Sequence, residues 1–284
     1  YQRKKRIFPP ALQIFRLGLG QPAVNFPPLT AKFLYEHFTE HCKDEDITVY
    51  DPSSGWGGRI LGAMCTNRKL HYVGTDPNPD NFGRYESVAD FYNTHTTNKF
   101  WGDDDQNTYD VFRDGSEEIG NNPDFQKYKG KLDFVFTSPP YFNREQYSQD
   151  ENQSFKKFSA YEDWRDNFLR PTLTTAYEYL KNDRYICWNI ADIKVGSDKY
   201  IPLEQDSIDV VESLGGEYLQ FVLYKENVET NKALASIAAL LRLKAKNRLF
   251  INGTKDKRAA TAQFVTAYRV KPDELALINQ RRGG

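Results

Sequence analysis

Residues Phe134-Val135-Phe136 form an unbroken apolar run that ends in Thr137-Ser138-Pro139-Pro140-Tyr141-Phe142. An apolar run without alternation is the pattern of a strand covered on both faces. Two consecutive prolines then fix φ twice and remove two amide donors, so the strand must stop there with free carbonyls at its end. A strand buried on both faces needs a layer above it and a layer below it, which limits the chain to a sheet enclosed by helices. Taken alone, Ser-Pro-Pro-Tyr reads equally well as an ordinary turn closing that strand.

The remaining periodicities supply both layers. Apolar or β-prone runs at 47–50, 70–75, 99–102, 132–136, 184–192 and 218–224 alternate with helical patterns at 29–42, 60–65, 80–93, 161–180 and 201–214. In the first helix Leu29, Phe33, Leu34, Phe38 and Cys42 recur at helical spacing and predict one buried stripe. Residues 105–130 read as a helix followed by a polar loop, and 143–159 as a loop or lid without clear period. Alternating strands and helices imply an α/β fold, a mostly parallel sheet with helices on both faces. The organisation expected is a basic N-terminal arm over 1–25, a body over 26–225, and a basic extension over 226–284. Within the extension, a helix at 234–243, a turn at Asn252-Gly253 and a last strand at 263–270 are expected.

Candidate site residues follow from the strand ends, where open parallel sheets bind ligands. The first strand runs into Asp51-Pro52-Ser53-Ser54-Gly55-Trp56-Gly57-Gly58 before a helix, the arrangement that brings a ligand against backbone amides. It is neither the dinucleotide fingerprint nor a phosphate loop, so a nucleoside without pyrophosphate is the more natural ligand. Asp76 closes the second strand, either as a ribose ligand or as a cap for Pro77-Asn78. Asp103-Asp104-Asp105 follow the expected third strand, as ligand contacts or as a solvated run.

Charge divides along the chain. The first six residues hold four basic and no acidic side chains, and residues 225–284 hold 13 basic against 5 acidic. The stretch between holds 21 basic and 34 acidic, so an acidic body carries basic ends although the net charge is −1. Basic ends suit a polyanion, or are simply solvated. Three scattered cysteines (Cys42, Cys65, Cys187) argue against disulfides and zinc, and no metal site is expected. The four histidines fit no catalytic spacing. The absence of an apolar run long enough to cross a bilayer and of an apolar leader suggests a soluble, intracellular protein.

In order, these parts resemble the S-adenosylmethionine-dependent DNA amino-methyltransferases over about residues 25–225. The resemblance rests on Asn25-Phe26-Pro27-Pro28, on Asp51 to Gly58, on Asp76, on Asp103, and on Thr137-Ser138-Pro139-Pro140-Tyr141. It implies a Rossmann-like methyltransferase fold with a seven-stranded sheet, S-adenosyl-L-methionine as cofactor, and methyl transfer to adenine N6 or cytosine N4 of a flipped-out base in double-stranded DNA. Asp51, Ser53, Gly55 and Gly57 would line the methionine part of the cofactor, and Asp76 would hold its ribose. Asp103 or Asp104 would meet its adenine, and Phe26-Pro27 would close the pocket. Ser138 Oγ and the Pro139 carbonyl would each accept an N–H of the target amine, aiming its lone pair by positioning alone. Pro140 would stiffen that corner, and Tyr141, helped by Phe142 or Tyr147, would stack on the base. Ser53 stands where the family often has an aromatic residue, while Trp56 sits between the glycines. Methylation at cytosine carbon 5 is disfavoured, since no cysteine lies at the corner. The alternatives are methylation of RNA or of a protein glutamine, and a non-catalytic subunit that binds nucleic acid. A homodimer or a specificity partner would supply target recognition.

Overall fold

The structure is a computed structural model that describes residues 25–42, 46–95, 106–144, 151–195, 199–216, 219–226, 230–240, 249–251 and 260–267. The chain divides into two compact units, Tyr1–Ser207 and Ile208–Gly284.

The first unit is built on a five-stranded parallel sheet of order β3-β2-β1-β4-β5: β1 Ile47–Asp51, β2 Leu70–Thr75, β3 Thr108–Phe112, β4 Leu132–Thr137 and β5 Leu180–Trp188. The order reverses between β1 and β4, which places a crevice at their carboxyl ends. β4 is buried at every position, as its unbroken apolar run requires. One face of the sheet packs Val49, Tyr72, Phe134 and Phe136 against Ala31, Tyr35, Ile60 and Ala89. The other packs Tyr50, Val73 and Val135 against Ile119, Phe125, Ala176 and Tyr179. Each such large side chain, fully removed from water, contributes about 1.5–3 kcal/mol.

The helices of this unit are α1 Pro28–Phe38, α2 Gly58–Met64, α3 Phe82–His95, the short α4 Pro123–Gln126, α5 Ser154–Lys157 and α6 Tyr161–Trp164, and α7 Arg170–Tyr179. The buried side of α1 differs from expectation. Leu29 and Phe33 are 79% and 60% exposed, while Ala31 and Tyr35 are fully buried. Small Ala31 faces Gly62 of α2, where an added Cβ would lie 2.6 Å from the Ala31 Cβ, so close helix contact selected the alanine face over the larger residues. Between α6 and α7 a π turn spans Arg165–Leu169. It widens the helix just before Pro171, whose ring would otherwise strike a carbonyl four residues back.

Two sheet expectations need correction. The strand expected at 99–102 lies outside the described residues, and the third strand of the sheet is β3, within a stretch read as helix and loop. Thr108, Tyr109, Val111 and Phe112 are β-branched or aromatic and favour a strand, but Asp110 interrupts the pattern. Its carboxylate is held by Lys127 Nζ at 2.8 Å and by the Tyr128 hydroxyl. The strand expected at 218–224 does not extend the parallel sheet. It is β8, Leu219–Glu226, in the second unit, where it pairs antiparallel with β10, Ala260–Ala267, over the whole length from Leu219↔Ala267 to Glu226↔Ala260. β10 also pairs with the short β9, Leu249–Ile251. Among the described residues, then, the parallel sheet has five strands and not seven. A small antiparallel pair β6, Ile193–Val195, and β7, Lys199–Ile201, belongs to the first unit. The chain division falls inside α8, Leu203–Ser213, and α9 covers Thr230–Leu240. No described helix is long and apolar enough to cross a membrane.

At the amino end of β2, His71 lies within 2.7 Å of the Tyr128 hydroxyl and 3.7 Å from Asp110. Burial lowers its pKa, outweighing the attraction of Asp110. The unfolded chain therefore binds this proton more readily than the folded one. The stability that neutral His71 maintains above its unfolded pKa of about 6.5 falls away as the pH drops through its lower folded value. Urea midpoints between pH 7.5 and 5 should decline in the wild type and decline less in His71→Gln.

Candidate functional site

The carboxyl ends of the sheet enclose a cleft of about 470 Å³, lined among others by Phe26, Ser53, Gly55, Asp76, Ser138 and Tyr141. Its floor is set by charge burial. Asp51 at the end of β1 is fully buried, and its carboxylate accepts from Arg59 Nε at 2.7 Å, the Tyr72 hydroxyl at 2.8 Å, Thr137 Oγ1 at 2.8 Å and the Ser53 amide at 3.2 Å. One side chain thus ties together β1, β2, β4 and α2. Arg59, 5% exposed, also donates to the Ser53 carbonyl, and Asp51 raises its pKa against the opposing cost of burial. Removing the hydroxyl in Tyr72→Phe should cost about 1.5–3 kcal/mol, the range for hydrogen bonds to a charged group, read as a lower urea midpoint with unchanged slope.

The turn between β1 and α2 bends through Gly55 and Gly57, at φ of 59° and 85°, left-handed values that a side chain would strain. Asp76 holds this turn from across the cleft. It accepts from the Gly55 amide at 2.9 Å, the Tyr85 hydroxyl at 2.6 Å and the Asn78 amide at 2.8 Å. Burial nevertheless raises its pKa, only partly offset by those hydrogen bonds. Asn25-Phe26-Pro27 forms the wall above α2. Asn25 Oδ1 accepts from the Gly58 amide at 2.9 Å, and a Cβ on Gly58 would lie 2.1 Å from the Phe26 carbonyl oxygen.

The Ser-Pro-Pro-Tyr corner faces the same cleft. The Tyr141 hydroxyl donates to the Asn189 carbonyl at 3.2 Å, and Asn189 Nδ2 donates to Ser138 Oγ at 3.2 Å. Among the expected site residues, Phe26, Pro27, Ser53, Gly55, Asp76, Ser138, Pro140 and Tyr141 meet at the cleft. Asp51 does not line it, because its oxygens are committed to the sheet, and it supports the floor instead. Gly57 and Pro139 are buried beneath the surface. Phe142, at φ 45°, turns inward to pack on Tyr161 and Trp164 at ring separations of 5.6 and 5.7 Å. It is a core ring, not a ligand contact. Asp103, Asp104 and Tyr147 lie outside the described residues.

Sequence reasoning missed Asn81, Asn189 and the segment Gly115-Ser116-Glu117, all of which line the cleft. Asn189 ends β5 as Asp76 ends β2, so the strand-end rule applied to every strand would have found it. Gly115 to Glu117 follow β3 and were hidden with it. Trp56 lines the cleft at 39% exposure. Among the described residues no group of carboxylates, histidines and cysteines is placed to hold a metal.

The fold and cleft define an α/β protein with a binding crevice at the carboxyl edge of a parallel sheet. Comparison with known proteins adds a different assignment for the C-terminal part. Residues 193–282 match the family TruD, tRNA pseudouridine synthase D. Over 67 residues the chain is 45% identical to multisubstrate pseudouridine synthase 7 of Schizosaccharomyces pombe, covering 24% of this chain and 10% of that protein. The human pseudouridylate synthase 7 homolog is 42% identical over 65 residues, 23% of this chain and 10% of that protein. The probable tRNA pseudouridine synthase D of Nanoarchaeum equitans is 38% identical over 64 residues, 22% and 17% of the two chains. The chain thus spans about a tenth of the length of the first of these relatives. Among solved structures, the SAM-dependent methyltransferase from Agrobacterium tumefaciens superposes with a TM-score of 0.44 at 12% identity, over 87% of this chain and 63% of that one. Similarity at that level carries no activity across.

These matches overturn the resemblance to DNA amino-methyltransferases. The named relatives are pseudouridine synthases, and pseudouridine formation rearranges one nucleoside without moving a methyl group. The expectations of S-adenosylmethionine as cofactor, of adenine or cytosine methylation and of double-stranded DNA as partner are therefore withdrawn. So are the alternatives of RNA or glutamine methylation and of a non-catalytic methyltransferase-like subunit. These relatives come from eukaryotes and an archaeon, so the likeness is not confined to bacteria.

Proposed function

We propose that this chain is an RNA-modifying protein of the pseudouridine-forming type, with 193–282 as the part that meets RNA. The observation that carries this reading is the family match over 193–282, which overlaps the most basic stretch of the chain, 13 basic against 5 acidic residues over 225–284. Basic segments bind nucleic-acid backbones by displacing counterions.

Pseudouridine formation breaks the N1–C1′ bond of uridine, joins C5 to C1′, and exchanges the C5 proton for one on N1. The balance is internal to the nucleoside. Leaving and returning at C1′ calls for a group that attacks or shields an electron-poor sugar carbon, and carboxylates serve that role at glycosidic centres. Of the five acids in 225–284, Asp256 alone is bracketed by cations, Lys255, Lys257 and Arg258. Neighbouring positive charge favours its ionised form and suits the flanking phosphates. We assign Asp256 as the reactive carboxylate on this sequence argument; it lies outside the described residues.

The organisation that goes with this reading is an N-terminal arm over 1–25, a body over 26–225 and an RNA-contacting extension over 226–284. In the body, Phe26, Pro27, Ser53, Gly55, Asp76, Ser138, Pro140 and Tyr141 are proposed as ligand contacts. Two measurements test the reading. Incubation with tRNA should introduce pseudouridine at discrete positions, mapped as reverse-transcription stops after carbodiimide treatment. RNA affinity, measured by fluorescence anisotropy, should fall steeply between 50 and 200 mM salt, and a flat salt response would remove the basic extension from the interface.

A further inference from the structure

Asn152, Gln153, Ser154 and Phe155, on α5 and the two residues before it, line the cleft. Gln153 and Ser154 are each 8% exposed, so this stretch is part of the cleft wall. Two fastenings hold it there. Trp164 Nε1, on a fully buried ring of α6, donates to Ser154 Oγ at 3.0 Å. Lys157 Nζ donates to Glu117 at 2.6 Å and to Glu118 at 2.9 Å. Glu117 is itself a cleft residue, with a side chain only 4% exposed, whereas Lys157 and Glu118 leave 26% and 63% of theirs in water.

The sheet order gives these fastenings their meaning. Residues 151–157 follow β4 in the chain, while Glu117 and Glu118 follow β3, and β1 and β2 separate those two strands in the sheet. A segment tied to both loops bridges the carboxyl edge on which the cleft lies. Neither tie is strong. A neutral hydrogen bond contributes little net, because water replaces it on opening, and an ion pair that touches solvent is weak and screened by salt. Four residues of helix are too few to be stable alone, so the conformation of α5 depends on what it packs against. Parting the ion pair leaves the little-exposed Glu117 without its cation, which biases the segment toward the closed position.

We propose that residues 151–157 are a lid on the cleft, latched by Lys157 on Glu117 and Glu118, and that ligand enters and leaves when this latch parts. Access to the cleft is separate from the pseudouridine reading, and either can fail alone. Ser53→Cys supplies a reporter among the cleft residues of the full chain. Its alkylation by a bulky maleimide, read by peptide mass spectrometry, is resolved from that of Cys42, Cys65 and Cys187. Adding Lys157→Met, which keeps an apolar stem and removes the charge, should speed alkylation at position 53 at least about fivefold, the order set by losing an ion pair of this exposure. Lys157→Arg should stay near the Ser53→Cys rate. Raising salt from about 50 to about 500 mM should accelerate alkylation in Ser53→Cys and change it little once Lys157→Met is added. Hydrogen exchange in Lys157→Met should rise over 151–158 and stay unchanged in β1 and β4. Equal alkylation rates with and without the Lys157 charge overturn the lid. Exchange that rises in β1 and β4 together with 151–158 also overturns it, because Lys157 would then be a staple of the whole unit.

Discussion

Arg59→Ala should lower the unfolding free energy of the first unit by about 3–5 kcal/mol, the cost of leaving a buried ion without its partner. Asp51 sits at 0% exposure and Arg59 at 5%, so solvent cannot take the place of the guanidinium. The remaining donors, Tyr72, Thr137 and the Ser53 amide, would still reach the carboxylate but bring no charge. The Ser53 carbonyl also loses its donor, which loosens the turn carrying Gly55. A reduced urea midpoint should therefore be accompanied by weaker ligand binding in the cleft. Asp51→Asn in the Arg59→Ala background should recover part of the loss, because the uncompensated charge is then gone. If the double variant were no more stable than the single, the loss would come from packing around the Arg59 stem instead.

The second large effect concerns chemistry. Asp256→Asn should reduce pseudouridine formation by at least about a thousandfold, a scale comparable to removing an activated group in other covalent mechanisms, while RNA affinity changes little. The substitution preserves size and removes the carboxylate, and the adjacent Lys255, Lys257 and Arg258 remain to hold phosphate. Asp273→Asn, an acid of the same segment without flanking cations on both sides, serves as the control and should stay active. Equal loss in both variants would indicate damage to the segment and withdraw the specific role of Asp256.

The sheet was legible where burial imposes a pattern. Ile47 to Tyr50, Leu70 to Thr75 and Leu132 to Phe136 are largely apolar because they are enclosed, and the strands end within one residue of the expected bounds. Thr108–Phe112 was not legible, because an edge strand tolerates an acid such as Asp110 when Lys127 and Tyr128 cover it. Residues 218–224 gave the correct element and the wrong sheet, since periodicity reports a strand but not its partner. The cleft was half legible. Strand-end residues Asp76 and Ser138 reached it, but Asn81 came from the short 3₁₀ turn Pro79–Asn81 ahead of α3 and Phe142 turned its ring into the core. The functional class was misread because five features matched in order over 25–225, whereas the family match lies over 193–282, a stretch read only for its charge and its helix, turn and strand.

The central claim, that the chain forms pseudouridine in RNA, is tested most directly by tritium release. Joining C5 to C1′ expels the C5 hydrogen, so RNA prepared with [5-³H]uridine should give up label to water in proportion to the pseudouridine formed. The account predicts release with the wild-type chain and none above background with Asp256→Asn. RNA that is bound by the wild-type chain yet retains all of its tritium would contradict it.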